Sequence, residues 1–255
     1  MKQVRKNSAP KLYALVTFIL MLIFWEFGSK AGIISTTFFP PPTKIWDSIL
    51  KISGNGTLFS AVNTTLTRFI VGLICGALTG ALLGLMMGWS PNLYSFLSPF
   101  IAAVYPIPKI AIFPLLMIIF GIGEGSKFAA IFLSCFFPML ITSLAGVQQI
   151  NSIYFEVGKN YGVRKWKIFT HILLPGSLPS ILAGLRLAAN TGFIISISVE
   201  IISSTNGLGV LLWFAWQTFR VSELYAVLVV ISLLGILVNY IFELMTKYFV
   251  PWLGE

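Results

Sequence analysis

The stretch Leu66–Trp89 reads LTRFIVGLICGALTGALLGLMMGW and contains a single charged residue. About 20 consecutive apolar residues are enough for an α-helix to cross the hydrocarbon core of a bilayer. A glycine recurs at every fourth position, namely Gly72, Gly76, Gly80, Gly84 and Gly88. On a helix these glycines form one stripe, and such stripes let two membrane helices approach closely. The second helix could belong to the same subunit or to a second copy in a homodimer.

Five further apolar stretches of similar character lie on either side of this one. They are Leu12–Gly28, Leu93–Phe120, Lys127–Val147, Ile181–Ser203 and Leu224–Met245. The chain of 255 residues is 57% hydrophobic and 10% charged, with a mean hydropathy of +0.90, whereas soluble domains carry about 25% charged residues. We therefore predict an all-α polytopic membrane protein with about six transmembrane helices. The whole chain, residues 1–255, would form one domain, with an N-terminal part (1–65) and core spans (66–250).

The formal net charge of +9 could by itself suggest a nucleic-acid partner. Six spans would instead place three basic groups on the side of the amino terminus: Lys2, Arg5, Lys6 and Lys11; Lys159, Arg164, Lys165 and Lys167; and Lys247. A smaller set would face outward: Lys30, Lys44, Lys51, Arg68, Lys127 and Arg220. Because cytoplasmic loops are enriched in lysine and arginine, we predict cytoplasmic termini and no bound nucleic acid.

The first apolar stretch has two interpretations. A basic start followed by an apolar run and a possible cleavage site at Ser29-Lys30-Ala31 could form a cleaved signal peptide. The same basic start orients a retained first span equally well, and we favour the retained helix.

Prolines mark two segments. Pro40, Pro41 and Pro42 stop any preceding helix, after which Thr43 is placed to cap an outer amphipathic helix over Lys44–Ile52. The third span contains Pro99, Pro106, Pro108 and Pro114. Because lipid cannot satisfy the carbonyls that prolines free, this segment is expected to be broken and buried in protein or to line a wet cavity. Lys109 lies near its middle and should face a cavity, a partner or the interface.

The fifth span carries polar residues that share one helical face: Arg186, Asn190, Ser196, Glu200 and Ser203. Ionisable groups inside a membrane are costly and often functional. Glu200 therefore either lines a translocation path or forms a structural ion pair with Lys109 or another buried cation.

The longest polar interruption is Glu156–Pro175, EVGKNYGVRKWKIFTHILLP. Its pattern Glu-x5-Gly-x9-Ile-x-Leu-Pro resembles the cytoplasmic coupling loop of permease subunits of ATP-binding-cassette (ABC) importers, with Val157 and Gly158 in place of the usual two alanines. The resemblance implies a loop over residues 150–175 in which a short helix docks on an ATPase subunit and Gly162 makes a turn. Leu174-Pro175 would end the loop before the next span. The implied coupling residues are Glu156, Val157, Gly158, Gly162, Val163, Arg164, Ile172, Leu174 and Pro175.

Three other motifs extend this resemblance. Pro106–Leu115 with Phe120–Gly123, Phe39–Pro42 and Asn206–Gly209 are similar to signatures of the nitrate/sulfonate/taurine branch, which also includes permeases for thiamine-precursor pyrimidines. The resemblance implies the type I importer permease fold, a bacterial inner-membrane location, a homodimer, a solute-binding protein and an ATPase subunit, in two copies, that holds ATP and Mg²⁺. It also implies a path for a small polar solute, for which our candidate residues are Tyr105, Lys109, Asn190, Ser196 and Glu200.

Other classes of function find little support in the sequence. The chain has no G-x-x-x-x-G-K-[ST] phosphate loop, no HExxH or GxSxG motif, and a single histidine, His171. Cys75 and Cys135 lack a CxxC partner and are expected to be small buried residues. We therefore predict neither an enzyme nor a metal site. The alternative is a proton-coupled secondary transporter or channel that uses Glu200, although such carriers often contain internal repeats and none is evident.

Overall fold

The computed structural model describes residues 9–251, and their side chains except those of residues 9–12, 14 and 15. The basic residues Lys2, Arg5 and Lys6, and the side chain of Lys11, therefore lie outside the described part. Within it the chain is helical and has no β-strand, as the predicted all-α class requires. The helices are α1 Ala9–Lys30, α2 Pro42–Gly54, α3 Thr57–Trp89, α4 Pro91–Val104, α5 Lys109–Phe120, α6 Glu124–Gln148, α7 Ser152–Asn160, α8 Lys165–Ile168, α9 Leu174–Ser203, α10 Leu208–Gln217 and α11 Val221–Phe249.

Four helices are long and apolar enough to cross a membrane: α3, α6, the continuous helix Lys165–Ser203, and α11. The pair α4 and α5 would supply a fifth span, bent by 99°. These five coincide with the second to sixth stretches that the sequence predicts. The first predicted stretch, Leu12–Gly28, lies within α1, which is not among the four, so a total of six spans stays a prediction.

The chain divides into two compact units. The first contains the described residues up to Phe59 together with Leu211–Val230, and the second contains Ser60–Val210 together with the described residues from Ile231. The single domain over residues 1–255 stays a prediction.

In the first unit, the predicted amphipathic helix is present as α2. Ile45 is buried, whereas Trp46 and Leu50 on the other side are exposed. The predicted cap by Thr43 is wrong, because α2 begins at Pro42 and Thr43 lies inside its first turn. Proline is well suited to the first helical position, where no amide donor is needed. The amide and hydroxyl of Thr43 instead donate to the carboxylate of Glu26, at 3.0 and 2.9 Å.

In the second unit, the glycine stripe of α3 lies against α6 of the same subunit. A Cβ at Gly76 would lie 2.6 Å from the carbonyl oxygen of Phe132 and 2.9 Å from the Cβ of Cys135. The other four glycines face α6 in the same way, in four-residue steps from Ile131 to Val147. The structure therefore places this stripe in packing within the subunit.

The third predicted span is broken between α4 and α5, at Pro106–Pro108. The ammonium group of Lys109 donates to the carbonyl oxygens of Tyr105 at 2.7 Å and Ile107 at 2.8 Å, and it lies 4.7 Å from the ring centroid of Phe137. Prolines leave backbone carbonyls without amide donors. The ammonium group of Lys109 therefore donates hydrogen bonds to backbone carbonyls at the break.

Candidate functional site

The polar loop between α6 and α9 contains a separate short helix, α7. The side chain of Asn151 caps its start by accepting the amide of Ile153 at 3.0 Å. At its end, Gly162 adopts φ 65°, and the amides of Gly162 and Val163 donate to the carbonyls of Lys159 and Gly158, both at 2.9 Å. This pair of bonds is the Schellman motif, in which glycine is favoured because it tolerates the left-handed conformation. Gly162 thus makes the turn that the resemblance to a coupling loop implies.

α9 begins at Leu174, where the loop was expected to end, but helical structure resumes before that point. Helix resumes at Lys165, directly after the exposed Arg164, and runs through Leu174 and Pro175 to Ser203. Pro175 cannot donate to the carbonyl of His171 one turn before it, and the π-helical turn Phe169–Leu173 directly precedes α9. Single π-turns occur inside α-helices where the regular hydrogen-bond ladder is disturbed. The proline is therefore accommodated within the helix.

The inner face of α7 packs on the ends of the membrane helices. The ring of Phe155 contacts Trp89, the last residue of α3, with centroids 6.3 Å apart and planes at 73°. Trp89 also contacts Phe169 of the π-turn at 6.2 Å. Gly158 is buried, and a Cβ there would lie 3.3 Å from the Cγ1 atom of Ile168 and 3.5 Å from the Cδ1 atom of Ile172. The inner face thus joins α7 to α3 and to the helix that continues into α9.

The outer face of α7 and its C-cap is exposed and largely apolar. Ile153, Val157 and Tyr161, spaced four residues apart, are 56%, 49% and 83% exposed, and Tyr154 beside them is 60% exposed. Glu156 is also exposed. Exposed apolar patches rimmed by polar residues mark protein or membrane interaction sites.

A cleft of about 650 Å³ lies beneath α7. Its lining includes Trp89, Phe155, Lys159, Val163, Lys165 and Leu173. One wall is therefore the apolar end of the membrane helices and the other carries two lysines of the loop.

The five candidate path residues do not form one site. Tyr105 and Lys109 line a recess of about 450 Å³, together with Thr191 and Ile194 of α9. Asn190 is half-buried and does not line that recess. Ser196 is fully buried, and its hydroxyl donates to the carbonyl of Gly192 at 2.8 Å. Tyr105 and Lys109 of the broken span therefore lie beside the face of α9 that carries Thr191 and Ile194. The sequence predicted instead the face that carries Asn190, Ser196 and Glu200.

Glu200 is fully buried, and its charged partner is Arg68, not Lys109. Its carboxylate accepts from Nη1 of Arg68 at 2.9 Å, from the hydroxyl of Thr65 at 2.9 Å and from the amide of Gly209 at 3.0 Å. Of the two interpretations from the sequence, the structural ion pair is the one that this structure contains.

A second carboxylate completes the cluster around Arg68. Glu124 accepts two hydrogen bonds from the guanidinium, both at 2.7 Å, and one from Lys127 at 3.0 Å. Two acidic and two basic side chains thus balance each other, and the paired geometry is the strong fork arrangement typical of arginine. Sequence reasoning missed this cluster, although Arg68 lies near the start of the second apolar stretch and Glu124 lies three residues before the fourth.

The turn Asn206–Gly209 belongs to the same cluster. The carbonyl of Asn206 accepts from Arg68 at 2.7 Å, and the amide of Leu208 donates to the hydroxyl of Thr65 at 2.9 Å. Gly207 has φ 133°, and any Cβ there would collide with the carboxylate of Glu200. The glycines of this motif therefore allow the backbone to close over a buried charge.

No group of three or more histidine, cysteine, aspartate or glutamate side chains in the described part could hold a metal ion. Cys135 is buried, and its thiol donates to the carbonyl of Ala188 at 3.4 Å.

Comparison with known proteins agrees with this geometry. The family model described as "Binding-protein-dependent transport system inner membrane component" matches residues 72–255. The taurine transport system permease protein TauC of Escherichia coli K12 is 31% identical over 244 residues, which are 94% of this chain and 89% of that protein. The formylaminopyrimidine transport permease protein ThiX of Halalkalibacterium halodurans is 28% identical over 97% of this chain and 98% of its own length.

A solved structure shows the same fold. The inward-facing MetNI methionine ABC transporter superposes with a TM-score of 0.68, covering 76% of this chain and 96% of that one at 18% identity. Members of such a family work with an ATPase and a binding protein. The chain belongs to the family of binding-protein-dependent transport system inner membrane components, and it is a multi-pass ABC importer permease.

Proposed function

We propose that this permease carries a small sulfonate across the inner membrane, driven by ATP hydrolysis in a separate subunit that docks on the outer face of α7. The observation that carries the proposal is the two-sided nature of this helix. One face is bound to α3 through Phe155 and, through Gly158, to the helix that continues into α9; the other presents Ile153, Val157 and Tyr161 to a partner.

The mechanism follows from how α7 is attached. A partner that moves α7 also moves the end of α3, because Phe155 lies against Trp89. It also moves the helix that begins at Lys165, because Gly158 lies against Ile168 and Ile172. That helix continues to Thr191, which lines the recess beside the broken span. Packed helices transmit such movements as rigid bodies, so a push at the loop reaches the membrane interior.

The assembly that we propose has the loop and both termini in the cytoplasm. Two copies of this chain pair around the path, and each binds one ATPase subunit, which holds ATP and Mg²⁺. The solute-binding protein delivers its cargo on the opposite side. The basic residues Lys159, Arg164, Lys165 and Lys167 support this orientation, because such residues are enriched in cytoplasmic loops.

Similarity to a taurine permease, and to aliphatic sulfonate permeases at 26% and 30% identity, supports a sulfonate as the solute. The positive charge of Lys109 in the recess would favour an anionic solute, although its ammonium group already donates hydrogen bonds to backbone carbonyls. The similarity to ThiX over nearly the whole chain favours a second candidate, a formylaminopyrimidine.

Uptake in proteoliposomes tests this function. Purification through a tag on this chain, in mild detergent, would recover the ATPase subunit, and the reconstituted complex would receive the binding protein and ATP. We expect ATP-dependent uptake of radiolabelled taurine that excess alkyl sulfonate suppresses and formylaminopyrimidine does not. ATP-dependent uptake of labelled formylaminopyrimidine, with none of taurine, would assign the second candidate, and uptake that needs no ATP would contradict both.

The structure gives the proton-coupled alternative little support. A coupling carboxylate must exchange protons with water on each side in turn, whereas Glu200 is fully buried and held by Arg68, Thr65 and Gly209. Uptake should therefore not respond to collapse of the proton gradient when ATP is supplied.

A further inference from the structure

The first unit contains an exposed aromatic residue in an unfavourable backbone conformation. Phe219, between α10 and α11, has φ 53° and is the only non-glycine residue with positive φ among residues 9–251. Its side chain is 78% exposed. The amides of Phe219 and Arg220 donate to the carbonyls of Trp216 at 3.1 Å and Ala215 at 2.9 Å. This is the same turn that Gly162 makes after α7, so glycine would fit here without the penalty that a side chain incurs.

A polar recess of about 340 Å³ lies beside Phe219 within the same unit. Hydroxyl groups make up much of its lining, from Thr36, Thr37, Ser48 and Ser222. Lys51 of α2, Arg220 and Glu223 also line it. Glu223 lies 3.4 Å from Arg220, which leaves the recess with one excess positive charge from Lys51 among its lining residues.

These features suit a protein partner better than lipid. Aromatic residues at a membrane surface need only an amphipathic ring, and such a role gives no reason to keep phenylalanine in a left-handed turn. Unfavourable backbone conformations persist at binding sites, where surrounding structure maintains them for a purpose. Exposed aromatic anchors beside hydrogen-bonding groups are typical of protein interfaces. Hydroxyl groups and cations would meet acidic and polar side chains, not acyl chains.

We infer that Phe219 and the adjoining recess dock the solute-binding protein, with Phe219 inserted into its surface and Lys51 paired with an acidic residue. The inference rests on the proposed function, because that orientation places α2 and the segment between α10 and α11 on the outer side. It identifies a contact surface that neither the sequence motifs nor the family match assign.

Photo-cross-linking at position 219 tests the location of the contact. A benzophenone amino acid would replace Phe219 in the tagged, full-length chain in living cells, and adducts would be identified by mass spectrometry. Ile118, an exposed residue of α5, serves as the control position. We expect an adduct with an extracytoplasmic solute-binding protein at 219 and none at 118. Adducts with lipid alone at 219 would assign Phe219 to the membrane surface and overturn the inference.

Phe219→Gly separates binding from folding. Because glycine fits the turn, a purely structural role predicts equal or higher thermal stability with no change in transport. The inference predicts weaker docking of the binding protein that the cross-linking identifies. In the reconstituted complex, the concentration of that protein that gives half-maximal ATPase stimulation should rise at least tenfold. Lys51→Glu should raise it as well, and Lys44→Glu, on the same helix but outside the recess lining, should not.

These outcomes are distinct from failure of the proposed function. If the reconstituted complex shows no ATP-driven uptake at all, the proposed function itself is wrong. If uptake and stimulation are normal in Phe219→Gly and in Lys51→Glu, the proposed function stands and the docking surface is refuted.

Discussion

The ring of Phe155 meets the indole of Trp89 edge to face, with centroids 6.3 Å apart. Phe155 lies on α7, in the polar loop, and Trp89 is the last residue of a membrane-spanning helix. Leu85, Val147 and Leu173 form the buried cluster on which both rings pack. This contact is therefore a direct mechanical link between the loop and the membrane helices.

Removing this link should uncouple ATP hydrolysis from transport. Phe155→Ala deletes a half-buried ring, and we expect uptake to fall at least tenfold while the ATPase subunit still co-purifies, because the outer face of α7 is unchanged. Phe155→Tyr keeps the ring and should restore most of the uptake. Phe120→Ala, at a ring that is 57% exposed, is the matched control. Loss of co-purification in Phe155→Ala would show that this residue supports folding of α7 and not transmission.

Gly158 sets how closely α7 approaches the following helix. A Cβ at this position would lie 3.3 Å from the side chain of Ile168, and a shift of a few tenths of an ångström would relieve that contact. Alanine also favours the helical state over glycine by about 1 kcal/mol. Gly158→Ala should therefore leave uptake within about twofold. Gly158→Leu has no room and should lower uptake severely. The comparison fails if the leucine variant transports normally.

The ion pair between Arg68 and Glu200 should contribute stability and not proton coupling. Arg68→Ala leaves a buried, unpaired carboxylate and should destabilise the protein by about 3–5 kcal/mol, observed as a large drop in the thermal midpoint in detergent. Glu200→Gln keeps the acceptor for Thr65 and should cost about 1–3 kcal/mol. ATPase co-purification should survive in Glu200→Gln. A change in the proton dependence of its uptake would revive the carrier mechanism.

The glycine stripe should tolerate no side chain where it meets α6. Gly76→Ala places a Cβ 2.6 Å from a backbone carbonyl, and such overpacking costs about 1–3 kcal/mol. Gly235→Ala in α11 is the control, because its Cβ would meet only the ring of Phe193 at 3.8 Å. Thermal unfolding in detergent should show a lower midpoint for the first variant and an equal or higher midpoint for the second. Equal midpoints would mean that the two helices separate readily at this position.

Much of the fold follows from local patterns in the sequence. Apolar length predicts five spans that the structure contains, prolines predict the break before Lys109, and the resemblance to a coupling loop implies the turn at Gly162. These features are predictable because each depends on neighbouring residues. The amphipathic helix α2 was also expected, but its start was misjudged because the carboxylate of Glu26, seventeen residues earlier, binds Thr43.

Contacts between distant segments were not predictable in this way. Glu200 meets Arg68 across 132 positions, and the sequence suggested Lys109 or another buried cation as its partner without indicating Arg68. The π-turn before Pro175 was missed because a proline usually marks the boundary of a helix. The role of Phe155 depends on where Trp89 ends its helix, which only the packed structure shows.

Docking of the ATPase on α7 is the central claim, and Glu156→Lys tests it most directly. The residue is exposed and is the only acidic residue of the loop Asn151–Pro175, so the substitution should leave insertion and thermal stability intact. The matched control is Lys167→Glu, a charge reversal at an exposed site of α8. The measurement is co-purification of the ATPase subunit, with ATP-driven uptake recorded on the same samples. We predict that both are lost in Glu156→Lys and that the control keeps both. Normal co-purification and uptake in Glu156→Lys would contradict the account.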